Sequence, residues 1–264
     1  MIQEIYTIWY REIKKLLRNK IKIFISLIFP LAILIIFGYG FGSAFSIPNL
    51  NVNYNQFLSI GILGMVLLMY SLSSGISVLQ DKTFGFMKEI LVAPISRSSI
   101  VIGKILGGAT VTLFHTLLLL IVMLSLNLIS ISCSNFLIIL IFMLLISFTF
   151  LGLGLIIASF ISESETFHIL MQIVMIPLFF LSGMFFPTNN LPIWLKIPSY
   201  INPLTYGIDG LRGVILSVSE KPILYNLEIS FIFCIFIVFI GVYVFNKKML
   251  LITKNLYIFV NSKN

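Results

Sequence analysis

Apolar positions in this chain fall into six long runs, at about 23–42, 57–79, 101–127, 136–161, 167–186 and 229–246. A helix needs about 20 apolar residues to cross roughly 30 Å of hydrocarbon. Lipid offers the backbone no hydrogen-bond partner, so each run predicts a transmembrane helix. Pro30 and Pro177 lie inside the first and fifth runs, where prolines kink membrane helices and are tolerated. Ahead of the runs, residues 1–20 place Ile2, Ile5, Trp9, Ile13 and Leu16 at helical spacing, with Arg11, Lys14, Lys15 and Arg18 mostly opposite. That pattern predicts an interfacial helix, its aromatics at headgroup level and its cations towards anionic lipid; a basic flank that only sets topology is the plainer alternative. Short breaks fall at 130–135 and 162–166, and a long polar interruption fills 80–100. The segment 187–227 is about forty residues long, yet far from polar.

Composition agrees with the pattern. The 264 residues are 59% hydrophobic and 10% charged, with mean hydropathy +1.11, whereas a soluble domain carries about 25% charged residues. The expected fold class is therefore an all-α integral membrane protein, one transmembrane domain over 1–264. The net charge of +8 reads as orientation signal and not as a nucleic-acid surface. With six spans and the N-terminus inside, fourteen of the 17 Lys and Arg fall on inner segments; Lys196, Arg212 and Lys221 fall outside. Both termini are expected in the cytoplasm. No cleavage site follows the first run, so an uncleaved anchor is expected. Cys133 and Cys234 support neither a disulfide framework nor a metal cluster.

The interruption has its own pattern. On a helical wheel Phe84, Phe86, Met87, Ile90 and Leu91 share one arc; Asp81, Lys82, Gly85, Lys88 and Glu89 share the other, with Val92 the misfit. This predicts a short amphipathic helix. Pro94 ends it, and Ser96 is placed to cap the helix that enters the third run. From these residues alone, docking on a partner and packing on the lipid interface remain equal readings. In the outer segment, Asn190 is placed to cap a helix carrying Trp194 and Leu195, broken by Pro198. Asn202 and Pro203 open a second, with Leu204, Ile208, Leu211 and Ile215 on one face. Asp209 and Arg212 are spaced to pair. Two such helices at membrane depth predict a re-entrant hairpin packed on protein, with a helix lying on the outer surface as the alternative.

GFMKEILVAPISR followed by IVIGK, with LSGMFFPTNNLPIWL at 181–195 and NPLTYGIDGLRG at 202–213, resembles type-2 ATP-binding-cassette exporter permeases, most of all the daunorubicin-resistance branch. The resemblance covers essentially the whole chain. It implies a coupling loop over 80–100 that docks on a cytoplasmic ATPase subunit. Asp81, Phe84, Gly85, Phe86, Met87, Lys88, Glu89, Pro94 and Arg97 form the expected coupling set. It implies an outer re-entrant gate with Pro192, Trp194, Pro203, Tyr206, Asp209 and Arg212. Lys82 and Thr83 stand where the family often has an acid and an Arg, so an ion pair to the ATPase from position 83 is not implied. Also implied are two ATPase copies, a second permease copy or a paralogue, surrounding lipid, no nucleic acid, and a multi-pass position in the plasma membrane. No cofactor is expected in this chain; ATP and Mg²⁺ belong to the partner.

Other patterns narrow the function. IGK at 102–104 lacks the rest of a phosphate-binding loop, and LSSG at 72–75 lies inside an apolar run. No zinc-ligand spacing occurs. The run cores hold no Asp, Glu, Lys or Arg, which argues against an ion-coupled relay. His115 and His168 lie within runs without an acidic partner and read as hydrogen-bonded packing. Gly103 and Gly107 form a small-xxx-small pair that allows close helix approach. The expected function is export of an amphipathic drug-like or lipid-like substrate; a polysaccharide or lipid-linked glycan is the alternative cargo. An intramembrane enzyme or a passive scaffold is more distant.

Overall fold

The computed structural model describes residues 1–40, 52–83, 96–161 and 163–261, and among these the chain is helical without strands. In chain order the helices are α1 (Ile2–Arg18), α2 (Lys20–Ile33), α3 (Tyr54–Ser73), α4 (Gly75–Thr83), α5 (Arg97–Ser125), α6 (Cys133–Phe160), α7 (Ser164–Leu181), α8 (Ile193–Ile201), α9 (Pro203–Leu216) and α10 (Ile223–Asn261). Past Pro30, α2 widens into a π-helical stretch, Leu34–Tyr39.

Among the described residues, five helices are long and apolar enough to cross a membrane: Tyr54–Asp81, Ser98–Ser125, Cys133–Phe160, Ser164–Leu181 and Ile223–Lys248. A sixth candidate is a pair, Ile2–Arg18 with Ile23–Tyr39, that meets the same criterion taken together and is bent by 73°; the apolar run that starts at residue 23 makes the second limb its spanning part. That bend lets α1 leave the direction of its span, as an amphipathic helix must if only one face is to meet apolar surface. The second span runs on through α4, so Asp81 ends a span; the sequence reading had placed it in the loop.

Burial sorts the spans. The second, third and fourth are 67%, 50% and 56% buried within the chain, and the fifth only 11%. Phe142, Phe150 and Phe167 fill the centre with Leu58, Ile60, Leu63, Leu67 and Leu68 of α3. The outward face of α7, with Ile169, Ile173, Ile176 and Phe180, is exposed on the single chain.

Glycine sets the close crossings. Where the end of α3 crosses α6, a Cβ on Gly154 would lie 2.6 Å from the Leu72 carbonyl oxygen. Where α1 lies across α5, a Cβ on Gly103 would lie 2.8 Å from Ile8 Cβ, and one on Gly107 2.8 Å from Glu12 Cβ. The small pair read from the sequence is thus a seat for α1. Trp9 adds a polar tie there, donating its indole N–H to Thr110 Oγ1 at 3.0 Å. Gly103→Leu should lift α1 from this seat at a cost of about 1–3 kcal/mol, read as a fall of several degrees in the melting midpoint of the detergent-purified chain.

Candidate functional site

Two polar clusters stand at opposite ends of the bundle. The first lies where α1, α4 and the start of α5 meet. Ser77 and Asp81 share one face of α4, four residues apart. Lys104, about two helical turns inside α5, donates to Asp81 Oδ2, to Ser77 Oγ at 3.0 Å and to Glu12 Oε1 at 3.1 Å. Arg11 forks onto the same Asp81 carboxylate, at 2.6 and 3.2 Å. Lys15 stands 3.4 Å from Glu12 and 3.9 Å from Asp81. The Asp81 and Lys104 side chains are each only 3% exposed. Charges so far from water persist only when paired and hydrogen-bonded, and this cluster pairs them across three elements. Ser96 caps α5, accepting from the Ser99 N–H at 3.1 Å as the sequence predicts, and its own N–H donates to Glu4 at 3.3 Å.

This geometry corrects two readings. Arg11 turns to the Asp81 carboxylate, so α1 does not spend it on lipid headgroups, whereas Lys15 stands off at 3.9 Å and stays exposed. Asp81 is held inside the chain by Arg11 and Lys104 and does not present its carboxylate to a docking partner. Phe84, Gly85, Phe86, Met87, Lys88, Glu89 and Pro94 lie outside the described residues. Arg97 opens α5.

The second cluster is built on the expected hairpin. Gly183, at φ +73°, turns the chain at the end of α7. Asn202 caps α9 by accepting from the Leu204 N–H at 3.0 Å, with Pro203 in the first helical position, as expected. Its amide also donates to the Leu178 carbonyl at 2.8 Å, and Thr205 Oγ1 donates to that of Leu181 at 3.2 Å. The carbonyls at the end of α7, which a helix leaves unmade, are thereby satisfied. Leu204, Ile208, Leu211 and Ile215 are all buried.

The polar face of α9 is buried too, which the amphipathic reading did not foresee. Asp209 and Arg212 form no ion pair with each other among the described residues; each serves backbone instead. Asp209 accepts from the N–H groups of Glu220 and Lys221 and from the Asn226 amide, at 2.8, 3.0 and 2.7 Å. Arg212 donates to the carbonyls of Gly183, Met184 and Phe57 at 2.8, 2.9 and 3.3 Å, and its guanidinium lies 3.4 Å over the Phe57 ring. Glu220 reaches back to Thr188 and Asn189. Tyr206 donates to the Tyr200 carbonyl at 2.8 Å and shares Lys221 with Tyr200 and Tyr225, the ammonium standing 4.4–5.2 Å from the three rings. The other two expected gate residues are on the outside. Trp194 is 71% exposed and Pro192 stands at the open start of α8. Pro198 lies within α8 and does not break it.

Glu12, Lys104, Glu220 and Asn226 were not singled out from the sequence. A signal existed for the acids: in a chain with nine Asp and Glu, an acid beside an apolar run needs a cationic or N–H partner. His115 behaves as expected, bonding the Val111 carbonyl at 2.8 Å and stacking on Tyr70 at 4.1 Å.

Apolar spans crossed by a buried ion cluster at one end and closed by a re-entrant hairpin at the other define an all-α, multi-pass membrane protein. The chain belongs to the ABC-2 type transporter family, whose profile matches residues 3–216, from α1 through α9. It is 28% identical over 213 residues to the putative transport permease ycf38 of Cyanophora paradoxa, covering 80% of this chain and 73% of that one. It is 25% identical over 179 residues to the probable multidrug ABC transporter permease YbhR of Escherichia coli, covering 67% and 48%. It is 24% identical over 231 residues to the inner membrane transport permease YadH of Escherichia coli, covering 87% and 89%.

Removing one partner from a buried ion pair costs about 3–5 kcal/mol. Asp81→Ala should lower the thermal midpoint sharply, and Lys104→Met on top of it should cost little more or restore part of the loss. At the other end, Arg212→Met should destabilise more than Asp209→Asn, because it strands three carbonyls that an amide at 209 would not. Melting curves of the purified variants check both orders.

Proposed function

We propose that the chain is the membrane-spanning subunit of an ATP-driven exporter that moves an amphipathic, drug-like or lipid-like substrate out of the cytoplasm. Both termini and α1 face the cytoplasm, and the hairpin of α8 and α9 closes the outer end of the pathway. An ABC ATPase, present in two copies and carrying the ATP and its Mg²⁺, docks on the segment between Thr83 and Ser96. A second copy of this chain, or a paralogue, completes the pathway; the exposed apolar face of α7 supports a partner within the membrane. The apolar lining of such an interface suits an amphipathic cargo better than an ion.

The observation that carries the proposal is the placing of the Asp81–Lys104 pair. It ties together the two helices that flank the docking segment, α4 two residues before Thr83 and α5 about two turns beyond Ser96. A push on that segment reaches the second and third spans together, and α1 with them through Arg11 and Glu12. The family and the name of YbhR support the rest.

A pull-down of the tagged chain from its native membrane should bring an ABC ATPase with it. In vesicles holding both subunits, Phe84→Ala combined with Met87→Ala should leave ATP hydrolysis running and reduce export by about ten-fold or more. Unchanged export in that variant, or no ATPase in the pull-down, contradicts the proposal. A cysteine replacing Lys88 should react with an impermeant maleimide in inside-out vesicles and not in intact cells.

A further inference from the structure

A cavity of about 280 Å³ opens between α1, the α3–α4 junction and α5, beside the ion cluster. Lys15 and Asn19 stand at its exposed rim, Ser73 and Ser74 form one wall, and His115 lies at its buried floor. We propose that this cavity holds the headgroup of one anionic phospholipid from the leaflet that meets α1. The site is separate from the transport reading, and its test reads lipid retention and not export.

Charge selects the headgroup. Arg11, Lys15 and Lys104 face two carboxylates, Asp81 and Glu12, so the cluster keeps one positive charge in surplus. Arg11 and Lys104 approach the carboxylates closely, whereas Lys15 stands off at 3.4 and 3.9 Å with its side chain 41% exposed. The surplus therefore lies at the mouth. Arg18, one turn along α1, and Lys20 are exposed beside it, and basic pockets between spans at such an interface hold anionic headgroups. The wall adds hydroxyl groups suited to phosphate oxygens. The size is near the lower end of small-molecule sites, about 300 Å³. Glu12, whose carboxylate is taken up by Lys104 and Lys15, also lines the cavity with Ser77 and Gln80; Leu16, Ile76 and Val111 add an apolar side, which fits a headgroup anchored by its own acyl chains and not a freely soluble anion.

The test is native mass spectrometry of the full-length chain in neutral detergent, titrated with phosphatidylglycerol or phosphatidylcholine. One phosphatidylglycerol should be retained and phosphatidylcholine should not. Lys15→Ala should weaken retention about five-fold, whereas Lys14→Ala, which removes the same charge from the helix surface, should change little. Ser73→Trp should abolish retention by filling the cavity. Should Ser73→Trp not fold, Ser73→Cys blocked with a bulky maleimide after folding gives the same readout, with the labelled parent chain as control because Cys133 is exposed. Equal losses in the Lys14 and Lys15 variants, retention in a filled cavity, or equal retention of phosphatidylcholine overturns the proposal. Displacement by soluble glycerol phosphate alone identifies a free-anion site and overturns the lipid assignment.

Discussion

The arrangement of this chain turns on one ion pair far from water, Lys104 against Asp81. Neither side chain can keep its charge in so dry a place without the other, and Arg11, Glu12 and Ser77 complete the shell. Such a pair is weak evidence for stability compared with apolar packing of the same volume. Its value here is position. Apolar surface alone lets helices in lipid slide against one another, since lipid and Leu are alike to them. A carboxylate that must meet a given ammonium fixes the register of α4 on α5, and Arg11 and Glu12 then fix where α1 lies across both. Gly103 and Gly107 make the approach possible; the charges choose it.

The far end solves a different problem by related means. A hairpin at membrane depth leaves helix ends without water. Asn202 and Thr205 take up the last carbonyls of α7, Arg212 those of the turn and of Phe57, and Asp209 the N–H groups that follow α9. Two charged side chains three residues apart thus diverge to opposite backbone tasks, because each finds more partners there than in the other. The hairpin is welded to α7, α9 and the start of α10, while Trp194 and the rest of the outer face of α8 stay exposed.

Much of this was legible in the sequence, for physical reasons. Run length gives the spans because hydrocarbon thickness is fixed. Ser96, Asn202 and Pro203 mark helix starts because a cap needs only local groups. The glycine pair announced a close approach without naming what approaches. What could not be read was every contact joining distant segments. Arg11 looked like a headgroup cation because its carboxylate lies 70 residues away. Asp209 and Arg212 looked like a local pair because their backbone partners belong to other elements. Pro198 looked like a breaker, yet an exposed, two-turn helix accommodates it. The coupling set from Phe84 to Pro94 lies outside the described residues and rests on resemblance.

The most direct measurement is hydrogen exchange over residues 8–16 of α1, in the parent chain and in Asp81→Ala, both reconstituted in the same bilayer. If the buried charges hold α1 on its seat, its amides should be protected like those at the start of α5. That protection should collapse in the variant while α6 stays protected. Protection of α1 that survives the loss of the carboxylate unchanged would contradict the account.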